Sequence, residues 1–191
     1  MTKKVYVGAS LLNEGAQLQN KKVKKKIEKA GLSPYLPQDD KSINDKANAV
    51  QEGLAERIVK KDFGAIDMAD VHLFDVLETT GTTTEIGYVF GQKRLAKEVL
   101  EAVEAMEGLS DNVNENLASH IKAIKVGLQA IVDKPFIATC SDVRRANKTP
   151  QEGDRREWSI NQLLYGVVLE LTDGKGFTEM EDLKKELKKH K

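Results

Sequence analysis

Residues 71–77 read Val-His-Leu-Phe-Asp-Val-Leu, an almost unbroken apolar run of strand length. A strand of that composition is covered on both faces, which is the condition of a parallel sheet with helices above and below it. The continuation is as informative: Glu78-Thr-Thr-Gly-Thr-Thr-Thr-Glu85 is a turn-forming stretch, and Ile86-Gly-Tyr-Val-Phe-Gly91 can carry on as a helix. Strand, Gly/Thr turn and helix in that order bring the turn to the carboxyl edge of the sheet, where open α/β folds hold their ligands. The run therefore predicts the fold class and puts a candidate site beside Glu85.

The flanking segments supply the neighbours such a strand needs. Lys4–Ala9 reads as a first strand, with Gly8 letting the backbone come close to whatever lies at its end. A helix follows to Ala30, with Val23, Ile27 and Ala30 on one face and Gly31 as its stop. Its lysines, Lys21 to Lys29, are interrupted by those apolar residues and read as a solvated face. Ser33–Pro37, with two prolines, suits a short edge strand, and Gln38-Asp39-Asp40 a polar loop at its carboxyl end. A helix from Ala47 to Asp67 is expected to turn Val50, Leu54 and Ile58 inward. Lys134–Cys140 and Gly166–Leu171 read as two further strands and Glu179–Lys189 as a closing basic helix, with Trp158–Tyr165 a short helix between them. Strands alternating with helices at this spacing predict an α/β fold, a doubly wound five-stranded parallel sheet in a single domain over residues 1–191.

One connection is too long for that plan. The helix after the central strand should end near Arg94, yet about forty residues precede the next strand, against the usual few. They are patterned rather than loop-like. Val99, Val103 and Met106 give one helix, stopped by Gly108, and Leu117, Ile121, Ile124, Leu128 and Ile131, spaced 4-3-4-3, give a second with a narrow seam suited to helix–helix contact. The expectation is a helical hairpin inserted at about residues 95–133, packing on the body or on a sister subunit. Ser141–Glu157 is polar and punctuated, an exposed loop.

Glu85 admits two readings. Thr82-x-x-Glu85 fits a capping box, in which hydroxyl and carboxylate satisfy each other's backbone amides. The same position, in the positive field of a helix start, favours an ionised carboxylate able to act as a nucleophile. Asp75, inside Leu-Phe-Asp-Val-Leu, would be costly to bury unpaired, which puts it at the open end of the strand facing the crevice. Thirty basic and thirty acidic residues cancel, arguing against nucleic acid or an anionic membrane and for a small molecule or a protein as partner. The single Cys140 permits no internal disulfide and reads as core filling, so the reducing cytoplasm is the default compartment. No run approaches the ~20 apolar residues that span a bilayer. His72, His120 and His190 lack metal-ligand spacing, and no phosphate-binding glycine loop is present, so neither metal nor cofactor is expected.

Four pieces together, Val5-Tyr-Val-Gly-Ala9, Tyr35-Leu-Pro37 before its polar loop, Lys61-Asp-Phe-Gly-Ala-Ile-Asp-Met-Ala-Asp70, and above all Gly81-Thr-Thr-Thr-Glu-Ile-Gly-Tyr88, resemble the nucleoside 2-deoxyribosyltransferases. The resemblance implies a flavodoxin-like fold and a cofactor-free double displacement that moves 2-deoxyribose between bases. Glu85 matches the nucleophile that forms a covalent deoxyribosyl-enzyme, and Tyr6 the tyrosine that steadies its carboxylate. Asp62 matches the acid that contacts and helps protonate the leaving base; read from its neighbours alone it is a surface carboxylate beside Lys60 and Lys61. Gly8, Asp75, Thr79 and Gly81 fall on the substrate side of the same loops. Asn161 resembles the asparagine that such enzymes lend to a neighbouring subunit, implying a homo-oligomer with shared sites.

Two departures keep other activities open. The family's aspartate six positions before the nucleophile is Thr79 here, with Glu78 the nearest stand-in. A related branch that hydrolyses deoxynucleoside monophosphates carries a hydroxyl residue there, yet the turn Ser10-Leu-Leu-Asn13 lacks the arginine expected to hold a 5′-phosphate. The alternatives to transfer are therefore hydrolysis of deoxynucleosides or their monophosphates, and a non-catalytic protein that binds and senses a nucleoside.

Overall fold

The computed structural model describes residues 2–45, 48, 50–107, 115–143 and 160–191. Two compact units emerge, one formed by Met1–Ile86 with Pro135–Lys191 and the other by Gly87–Lys134.

In the first unit, β1 (Lys4–Gly8), β2 (Ser33–Tyr35), β3 (Val71–Asp75) and β4 (Phe136–Thr139) form a parallel sheet in the order β2-β1-β3-β4. These are the first four places of the flavodoxin-like order, with its switch point between β1 and β3. Alternate residues go to opposite faces. Val5, Val7, Leu73 and Ile137 pack under α1 (Glu14–Ala30) and α7 (Leu183–Lys188), where they meet Val23, Ile27, Leu183 and Leu187. Each of these fully buried aliphatic side chains contributes roughly 2 kcal/mol. Helix α1 starts where the Asn13 side chain accepts the Ala16 amide at 2.8 Å and stops at Gly31, whose φ of 87° is costly for other residues.

The opposite face is aromatic. Phe74 stacks on Phe136 with centroids 5.3 Å apart, and Tyr6 leans on Phe74 at 5.8 Å. The His72 ring bonds the Ile66 carbonyl of α3 (Leu54–Met68) at 2.9 Å, fixing that helix on this face. On β2, the Ser33 amide donates to Lys3 at 2.9 Å, so Pro34 occupies the position whose amide would face away from β1.

Several elements differ from the sequence reading. The sheet has four strands among the described residues, because the stretch expected as a fifth, Gly166–Leu171, is the second half of α6 (Gln162–Leu171). Leu164, Tyr165, Val168 and Leu171 are its buried positions, a helical period that a short apolar run conceals. At the fifth place, among the described residues, Phe177 makes an isolated parallel bridge to Ala138 and the Thr178 amide donates to the Ala138 carbonyl at 2.7 Å. Helix α3 begins at Leu54, after Gly53 in the left-handed region at φ 63°, and Val50 and Ile58 are exposed rather than inward. Its buried positions are Asp62 and Ile66; Ala47 lies outside the described residues.

Helix α4 (Thr80–Glu107) does not stop near Arg94, since Leu95 to Glu107 contains only helix-compatible residues and no breaker. The first of the two helices expected there, through Val99, Val103 and Met106, is thus the continuation of α4, and Gly108 lies outside the described residues, as do Trp158 and most of the 141–157 stretch. Within the second unit, α4 is followed by α5 (Glu115–Val132). Lys125 meets Glu104 at 3.8 Å, and the Lys93 ammonium donates to the carbonyls of Val132 at 2.9 Å and Lys134 at 2.5 Å, so the two helices run antiparallel. No helix among the described residues is long and apolar enough to cross a membrane.

Candidate active site

After β3 the backbone tightens through two successive close turns, Leu77 to Asp75 at 2.9 Å and Thr79 to Leu77 at 2.7 Å. The Thr79 carbonyl then accepts the Thr83 amide at 2.9 Å and its hydroxyl donates to Thr82 at 2.9 Å, so Thr79 is the residue that starts α4. This disposes of the capping box. Glu85 sits beyond the first turn of the helix, and its carboxylate turns inward over the end of β1. A Cβ on Gly8 would lie 2.8 Å from Glu85 Oε2 and 2.2 Å from Phe74 Cε1, so only glycine leaves room for both. Around Gly81, by contrast, a Cβ would meet nothing within 4 Å.

A first prediction follows from this packing. The Phe74 ring is fully buried and stacked, so it cannot swing away from an added methyl group. Gly8→Ala is expected to cost about 1–3 kcal/mol of stability by urea unfolding and to displace Glu85, with turnover falling further than binding. An unchanged unfolding midpoint would show that the close approach is not required.

Burial sets the electrostatics of the cluster. Desolvation pushes the Glu85 carboxyl up to about 7; the charge of Asp62 adds to the shift and the nearby Tyr6 hydroxyl opposes it. The expected helix-start field is therefore outweighed by loss of water. Asp62, on the buried side of α3, is raised to about 6, again by burial first and then by Asp40. Its Oδ1 and the Tyr6 hydroxyl are buried without a well-aligned hydrogen bond. Two orphaned polar atoms beside one raised carboxyl are unusual in a protein interior and suit a site completed by a ligand.

Tyr35 is the member that the sequence reading missed. It stacks on Tyr6 at 5.8 Å, and its hydroxyl donates to Asp40 at 3.3 Å. Both phenols are held far above their ordinary range, Tyr6 by burial and then Glu85, Tyr35 by burial and then Asp62. Asp40, beside them, is held low instead, because the Ser42 hydroxyl and amide bond it at 2.6 and 3.0 Å, with Lys61 at 3.7 Å. The signal was available: Tyr35 lies opposite Tyr6 in the β1–β2 register.

The remaining candidates are engaged elsewhere. Asp75 does stand at the end of β3, but its carboxylate takes the Ser141 amide at 2.9 Å and hydroxyl at 2.7 Å, tying down the chain that leaves β4. Burial still raises its pKa. Asn161 caps α6 through its side chain, 2.8 Å from the Leu163 amide, and its own amide donates to the Glu78 carboxylate. Glu78 is thus occupied at the start of α6, and Thr79 at the start of α4. The structure gathers Glu85, Tyr6, Gly8 and Asp62 into one cluster.

A crystal structure of a conserved protein from Enterococcus faecalis V583 matches the fold with a TM-score of 0.61, at 16% identity over 100% of both chains. A 2-deoxyribosyltransferase from Bacillus psychrosaccharolyticus is similar at 13% identity, with a TM-score of 0.47 over 94% of this chain and 95% of that one. No curated protein matches the sequence. The family model described as nucleoside 2-deoxyribosyltransferase matches residues 5–170, a span that begins in β1 and takes in Tyr6, Asp62 and Glu85. The chain belongs to the nucleoside 2-deoxyribosyltransferase family.

Proposed function

We propose that the protein exchanges the base of 2′-deoxyribonucleosides by double displacement at Glu85. The observation that carries this reading is the placement of a half-buried, elevated carboxyl over Gly8, beside the Tyr6 phenol and a second elevated carboxyl, Asp62. In its ionised form Glu85 attacks C1′ of the sugar as the N-glycosidic bond breaks, and the bonding pair leaves with the base. Protonated Asp62 donates its proton to that base, and the sugar remains as a glutamyl ester. An incoming base then attacks C1′, returns a proton to Asp62 and regenerates Glu85, with net retention as in retaining glycosidases. Tyr6 stabilises the ionised Glu85, as the direction of its effect on that carboxyl indicates.

Water in place of the second base would make the same cluster a hydrolase. The test is to incubate the protein with a deoxynucleoside, with and without a different free base, and to separate the products by chromatography. A new nucleoside is expected. Release of base alone would assign hydrolysis, and saturable binding without products would assign a sensor; either result rejects transfer.

A further inference from the structure

One side of α3 borders an open groove. Arg57, Lys60, Lys61, Gly64, Ala65 and Met68 recur at steps that keep them together on a helix, on the side away from the buried Asp62 and Ile66. With β2 they enclose a cavity of about 650 Å³ that lies wholly within the first unit. Its body is apolar, with Gly64, Ala65 and Met68 on the helix side and Pro34 and the Tyr35 ring on the strand side. Tyr6, Gly8, Asp62 and Glu85 are not among its walls. Gly64 keeps the middle open. Glycine weakens the interior of a helix, and close packing does not demand it here, because a Cβ would meet nothing within 4 Å.

Charge marks the rim. Lys4, Arg57, Lys60 and Lys61 border the groove against the single acid Asp40, in a chain whose thirty basic and thirty acidic residues cancel. The half-buried Arg57 is held in place by the carbonyls of Glu52, at 2.5 Å, and Val50. Lys61 lies 3.7 Å from Asp40, and Lys60 is exposed. We propose that this groove is a second ligand site, taking a small organic anion whose flat apolar body lies between α3 and Tyr35 and whose negative group sits among Arg57, Lys60 and Lys61. The cavity is of the size and mainly apolar character that small-molecule sites show. A bare inorganic anion would leave the apolar walls wet, and an uncharged ring would leave the cations unpaired, so the two features together select an amphipathic anion. Tyr35 joins this place to the catalytic cluster, since its ring also stacks on Tyr6. Binding there requires no glycosidic chemistry at Glu85.

Isothermal titration calorimetry on the full chain, with naphthyl phosphate as the probe, tests this. Saturable binding of a single probe molecule per chain is expected. Inorganic phosphate and naphthol should each bind about tenfold more weakly or worse, and a saturating deoxynucleoside should not displace the probe. Gly64→Phe fills the groove and is expected to weaken binding about tenfold or more, with the circular dichroism spectrum and melting curve retained. Lys60→Glu, at an exposed position, should weaken binding about tenfold without altering the shape of the groove. The proposal is overturned by an absence of saturable binding, by equal affinity for inorganic phosphate or naphthol, by displacement with the deoxynucleoside, or by undiminished binding in either folded variant.

Discussion

Glu85→Gln is expected to remove base exchange, with kcat/KM falling on the order of 10³-fold or more, while making the folded protein harder to unfold at pH 8. The two effects share a cause. Glutamine keeps the shape but cannot bond covalently to C1′, and it also removes a carboxyl whose folded pKa is raised from 4.5 to about 7. For an acid shifted upward, the folded state favours the protonated form. The stabilising preference is complete below the unfolded value and is lost as pH rises through about 7. The displacement corresponds to on the order of 3 kcal/mol as an upper bound, less whatever water reaches the group. Melting temperatures should therefore match at pH 4 and diverge by several degrees at pH 8, with the variant higher. Equal melting at both pH values would show that Glu85 is hydrated in the free protein.

Asp62→Asn is expected to lower kcat/KM by about 10²–10⁴-fold for ordinary deoxynucleosides, the usual contribution of a positioned proton donor. The shape of the pH profile is the sharper readout. One proton shared between Glu85 and Asp62 gives a wild-type kcat/KM that rises near 6 and falls near 7, values that belong to the pair rather than to either residue. Asn at position 62 removes the alkaline fall, and loss of a neighbouring charge moves the acid limb to lower pH. A substrate whose leaving group needs no protonation should recover most of the lost rate. Tyr6→Phe moves the acid limb the other way, since the hydroxyl that lowers the Glu85 pKa is gone. A wild-type-shaped profile in the Asp62 variant would remove Asp62 from the chemistry.

The order in which the sequence gives up its information follows from the range of the forces involved. Elements with a strong local signal, such as the unbroken apolar run of β3 and the periodic face of α1, could be read from local pattern, and the approach of the segment after β3 to the carboxyl edge of the sheet followed from topology. Gly166–Leu171 could not be, because a six-residue, mostly apolar run suits a strand or a helix equally, and the deciding signal was Asn161 acting as an N-cap upstream. Asp62 looked like a surface acid beside Lys60 and Lys61. Its burial depends on which side of α3 meets the sheet, a tertiary fact that charge composition does not carry. The sign of the Glu85 shift was misjudged for the same reason: a helix start is visible in a sequence, whereas the water excluded by Phe74, Tyr6 and Gly8 is not.

Pro34 has a bearing on how the protein survives crowding. An extended segment from a neighbour, arriving alongside β2, finds only three residues to match and no amide hydrogen at the middle one. Ordered stacking of copies into cross-β fibrils is blocked at that border by a single ring closure in the backbone.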